Sequence, residues 1–176
     1  MNIGQRMLAE FDEEMKSTRR TLERVPEDKW NWKPHEKSGS VGWMASHIAT
    51  MVGWGALTLR TEKFDYAPVD GSAGMQPPKI ENKRDLLAEF DKNAAEARAA
   101  LSEATDVDML TNWSLLGGGK EVFTMPRVAV IRYMVMNHLI HHRGQLLVYY
   151  RLLGVPVPGL YGPSADEQPA ASPAAS

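Results

Sequence analysis

The stretch that decides the fold is PRVAVIRYMVMNHLIHHRGQLLVYYRLLG, residues 126–154. Pro126 suits a first helical turn, because the N–H it lacks would have no partner there. Val128, Ile131, Met134 (or Val135), His138, His142 and Leu146 then recur at steps of three and four, the spacing of one helix face. Gly154 offers a left-handed stop, and Pro156 prevents continuation. The spacing predicts a helix from about Pro126 to Leu153, about 40 Å long at ~1.5 Å per residue. On this reading His138 and His142 face inward, with apolar side chains above and below.

Three further helices are predicted upstream. From about Asn2 to Val25, Ile3, Met7, Phe11, Met15, Leu22 and Val25 form an apolar stripe, with Thr18 filling the gap. Pro26 ends it. Ser40 is a candidate N-cap for a second helix from about Val41 to Arg60, striped by Trp43, Met44, His47, Ile48, Met51, Val52 and Leu59. A third runs from about Asn82 to Ala104 along Leu86, Leu87, Phe90, Ala94, Ala97 and Leu101. Asp106, Asp108 and Asn112 then take the chain out of helix. Between helices two and three lies TEKFDYAPVDGSAGMQPPKIE (61–81), with no helical period. A connection of about 20 residues suits a crossover between helices that are not a tight antiparallel pair. TNWSLLGGGKEVFT (111–124) reads as a β-hairpin, two short apolar runs around three glycines. The expected fold is therefore all-α, an up-down-down-up four-helix bundle with a long crossover between helices two and three and a small hairpin before helix four. It spans 1–160, followed by a Pro/Ala/Ser-rich, mostly disordered tail at 161–176.

Composition narrows the function classes. The chain has 176 residues, 43% hydrophobic and 24% charged, which fits one globular domain. It has no cysteine, which excludes disulfides, thiolate zinc sites, iron–sulfur clusters and a protein thiol nucleophile. Its 20 basic and 22 acidic residues argue against nucleic acid as a partner. Ser38 to Leu59 carries no Lys, Arg, Asp or Glu, yet its glycines, serines, threonines and His47 fit burial in protein better than a membrane span. The N-terminus lacks the uninterrupted apolar core of a secretory signal. The expectation is a cytoplasmic protein without membrane contact.

Five histidines remain: His35, His47, His138, His141 and His142. His138 and His142, four apart on a helix, bring their Cβ atoms to about 6 Å, so both imidazoles can reach one ion at ~2.1 Å. Leu139 follows His138 where a helical zinc protease carries its general base Glu, which rejects that activity. The pair alone fits either a metal site or two core histidines with separate partners. Two inward imidazoles cannot both ionise cheaply, which favours a shared ion. His141 competes geometrically but lies nearer the edge of the apolar face. His47, between Met44 and Met51, reads alone as a satisfied core histidine; helix lengths do not settle whether it reaches the pair. His35 reads as a loop residue. Gln145 and Asn137 flank the pair and are candidates to hold an imidazole N–H. Arg143 reads as a surface residue or an anion contact, Tyr149 and Tyr150 as lining a pocket or interface, and Trp30, Trp32 and Trp43 as core or lid packing.

Two segments, WNWKPHEKSGSVGWMASHIA (30–49) and FTMPRVAVIRYMVMNHLIHHRGQLLVYYRLLGVPVP (123–158), together with LYGPSADE (160–167), resemble the DinB-like (DinB/YfiT-like) superfamily of metal-binding four-helix bundles. The match runs over about residues 1–168. The resemblance implies one divalent ion, zinc or nickel, on His47, His138 and His142. It also implies frequent homodimers and, for several members, transferase or isomerase chemistry that uses a low-molecular-weight thiol such as bacillithiol, mycothiol or glutathione. Three neutral histidines leave the ion an open position. With no cysteine in the chain, a thiolate must arrive on a co-substrate. The expected function is a thiol-dependent S-transferase or isomerase acting on a small electrophile. The alternatives are a metal-hydroxide hydrolase and a non-enzymatic, stress-related metal-binding or sensing bundle.

Overall fold

Asn2 starts the first helix by a reciprocal cap: its side chain accepts from the Gln5 N–H at 2.8 Å, and the Gln5 side chain accepts from the Asn2 N–H at 3.2 Å. In the computed structural model, which describes residues 1–69, 74, 76 and 78–167, α1 spans Ile3–Leu22. Phe11, Met15 and Leu22 are buried along it. Thr18 and Thr21 occupy core positions because their hydroxyls donate to the carbonyls of Glu14 (2.7 Å) and Ser17 (3.0 Å), leaving only methyls to pack. After a 3₁₀ turn at Glu27–Lys29, the chain folds back on the start of the second helix: Val41 N–H donates to Trp32 O and Gly42 N–H to Trp30 O. Only glycine fits at 42, where a Cβ would lie 2.1 Å from the Trp30 indole nitrogen.

The single helix expected over 41–60 is two, α2 (Val41–Met51) and α3 (Trp54–Arg60). Ser40 caps the first as expected, accepting from Trp43 N–H. The break has an identifiable cause. Gly53 N–H donates to Thr50 O instead of Ala49 O, and the Asn93 amide supplies the lost donor to Ala49 O at 3.0 Å. A Cβ at Gly53 would press to 3.0 Å from the Asn93 amide oxygen.

The 61–82 crossover contains a strand the sequence did not signal, β1 (Lys63–Asp65). Its Asp70–Ala73, Met75 and Pro77 lie outside the described residues. Helix α4 (Lys83–Glu103), capped by Asn82, matches the third predicted helix. The stretch read as leaving helix instead forms α5 (Asp106–Leu110), because Thr105 and Asp108 make a capping box. The predicted hairpin is present as β2 (Asn112–Gly117) and β3 (Lys120–Pro126), joined through Gly118 and Gly119 at φ +63° and +76°. β1 pairs parallel to β2, so the hairpin becomes a three-stranded sheet in order β1-β2-β3. The Asp65 carboxylate ties β1 to the hairpin tip, accepting from Gly118 N–H at 3.1 Å and Gly119 N–H at 2.6 Å.

The last helical stretch is continuous but not uniform. α6 (Arg127–Val130) passes into a π-helical segment, Ile131–Asn137, and then α7 (His138–Leu152). Gly154, at φ +70°, ends it with Val155 N–H bonded to Tyr150 O and Gly154 N–H to Arg151 O, the two bonds of a Schellman stop. The π segment changes the expected facing. Its wider turn rotates the downstream helix, so Leu139, Arg143, Leu146 and Tyr150 take the buried positions, while His138 and His142 are half-buried on the flank.

The fold is mostly helical. α1 packs on α4 and α7, and α2 packs on the same two. Their shared core includes Phe11, Leu22, Ile48, Phe90, Leu101, Ile131 and Leu146. A smaller core of Trp113, Leu115 and Val130 attaches the sheet to α3 and the π segment. Among the described residues no helix is long and apolar enough to cross a membrane. Residues 161–167, placed by the sequence reading in the tail, lie against α1 and α7. Glu167 pairs with Arg20 and Arg24, and Asp166 with Arg151. Residues 168–176 lie outside the described residues.

Candidate metal centre

Three of the five histidines converge. His47 comes from the middle of α2, His138 and His142 from the first two turns of α7, and one ring nitrogen from each lies within 4.8 Å of the others. The ring centroids of His47 stand 5.3 Å from His138 and 4.8 Å from His142. Packing of α2 against α7 brings them together. All three are half-buried, and His47 is reached from an open cleft.

Hydrogen bonds fix the tautomers of the α7 pair. His142 Nδ1 lies 2.7 Å from Gln145 Oε1, an acceptor, so Nδ1 carries the proton. His142 Nε2 is then an acceptor, and it lies 2.8 Å from His138 Nε2, which donates to it in the metal-free chain. A bound ion would take the place of that shared proton. Burial, and the neighbouring imidazoles after it, push His47 down to about 4 and lower His138 in the same direction. Neutral imidazole is the form that binds metal. Two nitrogens at ~2.1 Å from one ion lie at most about 4.2 Å apart, so small side-chain rotations bring this set to a common ion. The donor chemistry fits a divalent cation, and the three-His group could hold one.

The remaining candidates separate clearly. Gln145 touches His142 as described. Asn137 is exposed and has no side-chain hydrogen bond to either imidazole. His141 is exposed beside His142, ring centroids 5.0 Å apart, and outside the three-His group. His35 bonds only its own loop, accepting from Lys37 N–H. Arg143 is neither a surface residue nor near the imidazoles' cleft. It is 1% exposed and pairs with the buried Glu14 at 2.7 Å while donating to Thr18 Oγ1 and Tyr161 Oη. Tyr149 packs edge-on to Trp32, and Tyr150 is buried with its hydroxyl donating to Thr21 O.

Sequence reasoning undervalued Trp43. It sits one turn before His47, i to i+4 on α2, and its exposed ring stacks on that imidazole. The spacing alone carried that signal. Two cavities border His47. One, about 410 Å³, is an open cleft lined by Trp30, Trp43, Ser46, His47 and Ile80. The other, about 110 Å³ and more enclosed, is bounded by His47, His138, Met51, Trp54, Leu115 and Met134. Leu115 reaches it from the sheet, a contact no local pattern announces.

Comparison with known proteins places the fold in a family. The chain is 24% identical over 162 residues to the uncharacterized protein YrdA of Bacillus subtilis (strain 168), covering 91% of this chain and 89% of that protein. A DinB-like crystal structure from Bacillus cereus ATCC 10987 superposes with a TM-score of 0.64 at 25% identity, over 88% of this chain and 95% of that one. The DinB-like protein YjoA of B. subtilis superposes with a TM-score of 0.68 at 19% identity, over 90% and 99%; at that identity the likeness is one of fold. The DinB family model itself matches residues 1–171, nearly the whole sequence and a range that contains the three clustered histidines, and the chain belongs to the DinB family.

Proposed function

We propose that this DinB-family chain is a metal-dependent enzyme in which His47, His138 and His142 hold one zinc or nickel ion, and that it joins a low-molecular-weight thiol to a small electrophile or isomerises a substrate with the thiol's help. The observation that carries the reading is that His47 lines both an open cleft and a more enclosed pocket, the latter shared with His138. A closed structural site needs neither, and a hydrolase needs only one organic substrate. Two approaches to one centre suit two reactants.

The ion, when bound, supplies an open coordination position and the charge that favours a thiolate over a thiol at neutral pH. The chain's residues orient and shield. Gln145 holds His142 through Nδ1, which leaves its Nε2 as an acceptor toward His138. Trp43 walls the cleft beside His47. Thr50 borders both cavities, its hydroxyl committed to Ser46 O and His47 O. The same reading takes the long helices as an up-down-down-up bundle, supported by the packing of α1 and α2 on both α4 and α7 and by the length of the crossover.

The test is elemental analysis of untagged wild type beside His142→Ala, followed by turnover of epoxide and activated-alkene electrophiles with and without bacillithiol, mycothiol or glutathione. About one ion per chain, lost in the variant, and turnover that requires thiol support the proposal. Ester hydrolysis indifferent to thiol favours a hydrolase. A bound ion without turnover favours a binding or sensing role.

A further inference from the structure

The enclosed cavity differs in kind from the open cleft. No charged side chain lines it. Its walls are Met51 from α2, Trp54 from α3, Leu115 from β2 and Met134 from the π segment, and the imidazoles of His47 and His138 form its remaining side. The one hydroxyl present, on Thr50, already donates to the backbone of its own helix. A charged group entering here would lose water and meet no counter-charge on the walls, which costs free energy. An apolar group would gain contact on every side. Size is equally restrictive. A cavity of about 150 Å³ accommodates benzene, and this one is about 110 Å³.

Three features of the fold build this space. The α2–α3 break redirects the chain just before Trp54. The π segment places Met134 on the wall. The sheet brings in Leu115. We infer that this pocket is the subsite for the uncharged end of the electrophile, a linear or branched alkyl group of about three to five carbons. The group lies against Met51, Trp54, Leu115 and Met134, with the reactive end at the imidazole side. Charged electrophiles are excluded by desolvation, and chains much longer than about five carbons by volume. The inference rests on the metal-dependent reading for its orientation, but the pocket's preference for small apolar matter stands on its own lining.

Two measurements test it, one of which needs no metal. In metal-free protein carrying ¹³C-methyl methionine, xenon under pressure is expected to shift the Met51 and Met134 methyl signals saturably; unmoved signals overturn the pocket. In zinc-loaded protein, straight-chain alkyl hydroxamates are expected to tighten about fourfold per added methylene up to about four carbons and then to weaken. Leu115→Ala, or Met134→Ala if that variant fails to fold, is expected to move the optimum to longer chains. Affinity indifferent to chain length, or rising through octyl in wild type, overturns the assignment by placing the chain in the open cleft. Failure of the metal reading appears differently, as no zinc uptake with the xenon shifts intact.

Discussion

Trp43 stacks on His47 with ring planes 13° from parallel and centroids 5.1 Å apart, while 52% of its surface stays in solvent. An exposed tryptophan contributes little to the core, so this ring shields the imidazole and walls the cleft. Titration with nickel should quench the part of the emission that Trp43 contributes, and Trp43→Phe should remove that part. Trp43→Ala should leave the melting temperature within a few degrees of wild type while raising KM for whatever occupies the cleft.

Metal binding should be visible as stability. An ion that binds only the folded chain adds about 2.7 kcal/mol at one hundred times its Kd. For a chain of this size that is a rise in Tm of roughly 5–10 °C. Differential scanning fluorimetry with zinc or nickel should show it for wild type and show little for His47→Ala or His142→Ala. Equal shifts in all three would place the ion elsewhere.

Gln145 acts through His142. Removing its acceptor frees the ring to turn and to change tautomer. Gln145→Leu should weaken metal affinity roughly 10–100-fold without loss of fold. Gln145→Glu, which keeps an acceptor at the same place, should recover most of it. Competition against a chromogenic chelator distinguishes the two.

Acid should destabilise the metal-free protein. His47 stays neutral in the folded chain down to about pH 4 because burial and the neighbouring imidazoles oppose its charge. In the unfolded chain it takes its proton near 6.5. Between those values the unfolded state holds more protons, so stability falls as pH drops from about 6.5 toward 4 and levels off below. His138 acts in the same direction. Urea midpoints at pH 7 and pH 5 should separate for wild type and draw closer together for His47→Ala.

Glu14 and Arg143 form a buried ion pair, 2.7 Å apart, that joins α1 to α7 and holds Tyr161. Arg143→Met would strand the Glu14 carboxylate and should cost about 3–5 kcal/mol. The double variant Glu14→Gln with Arg143→Met should recover part of that loss, because no unpaired charge remains. Metal stoichiometry of the folded fraction should be unchanged in both.

The long helices were legible because their signals are local. Asn2, Ser40 and Asn82 cap where the spacing begins, and Gly154 stops the last helix by the expected bonds. The breaks were not. Gly53 ends α2 because Asn93, forty residues away in sequence, satisfies the carbonyl that the break frees. The third strand was hidden for a similar reason: β1 is three residues long and exists through its pairing with β2. Arg143 carried no sign of burial, since its counter-charge lies on α1.

For the site, the i, i+4 spacing of His138 and His142 and the place of His47 on α2 were written in the sequence, and the family resemblance joined them. Only the tertiary structure decided that the pair faces sideways rather than inward, which imidazole nitrogens face each other, and that a more enclosed, largely apolar pocket shares His47 with the cleft. The physical reason is range. Capping and helical spacing act within a few residues, whereas a π-helical turn, a borrowed amide and a leucine from a distant strand act only once the chain has closed on itself.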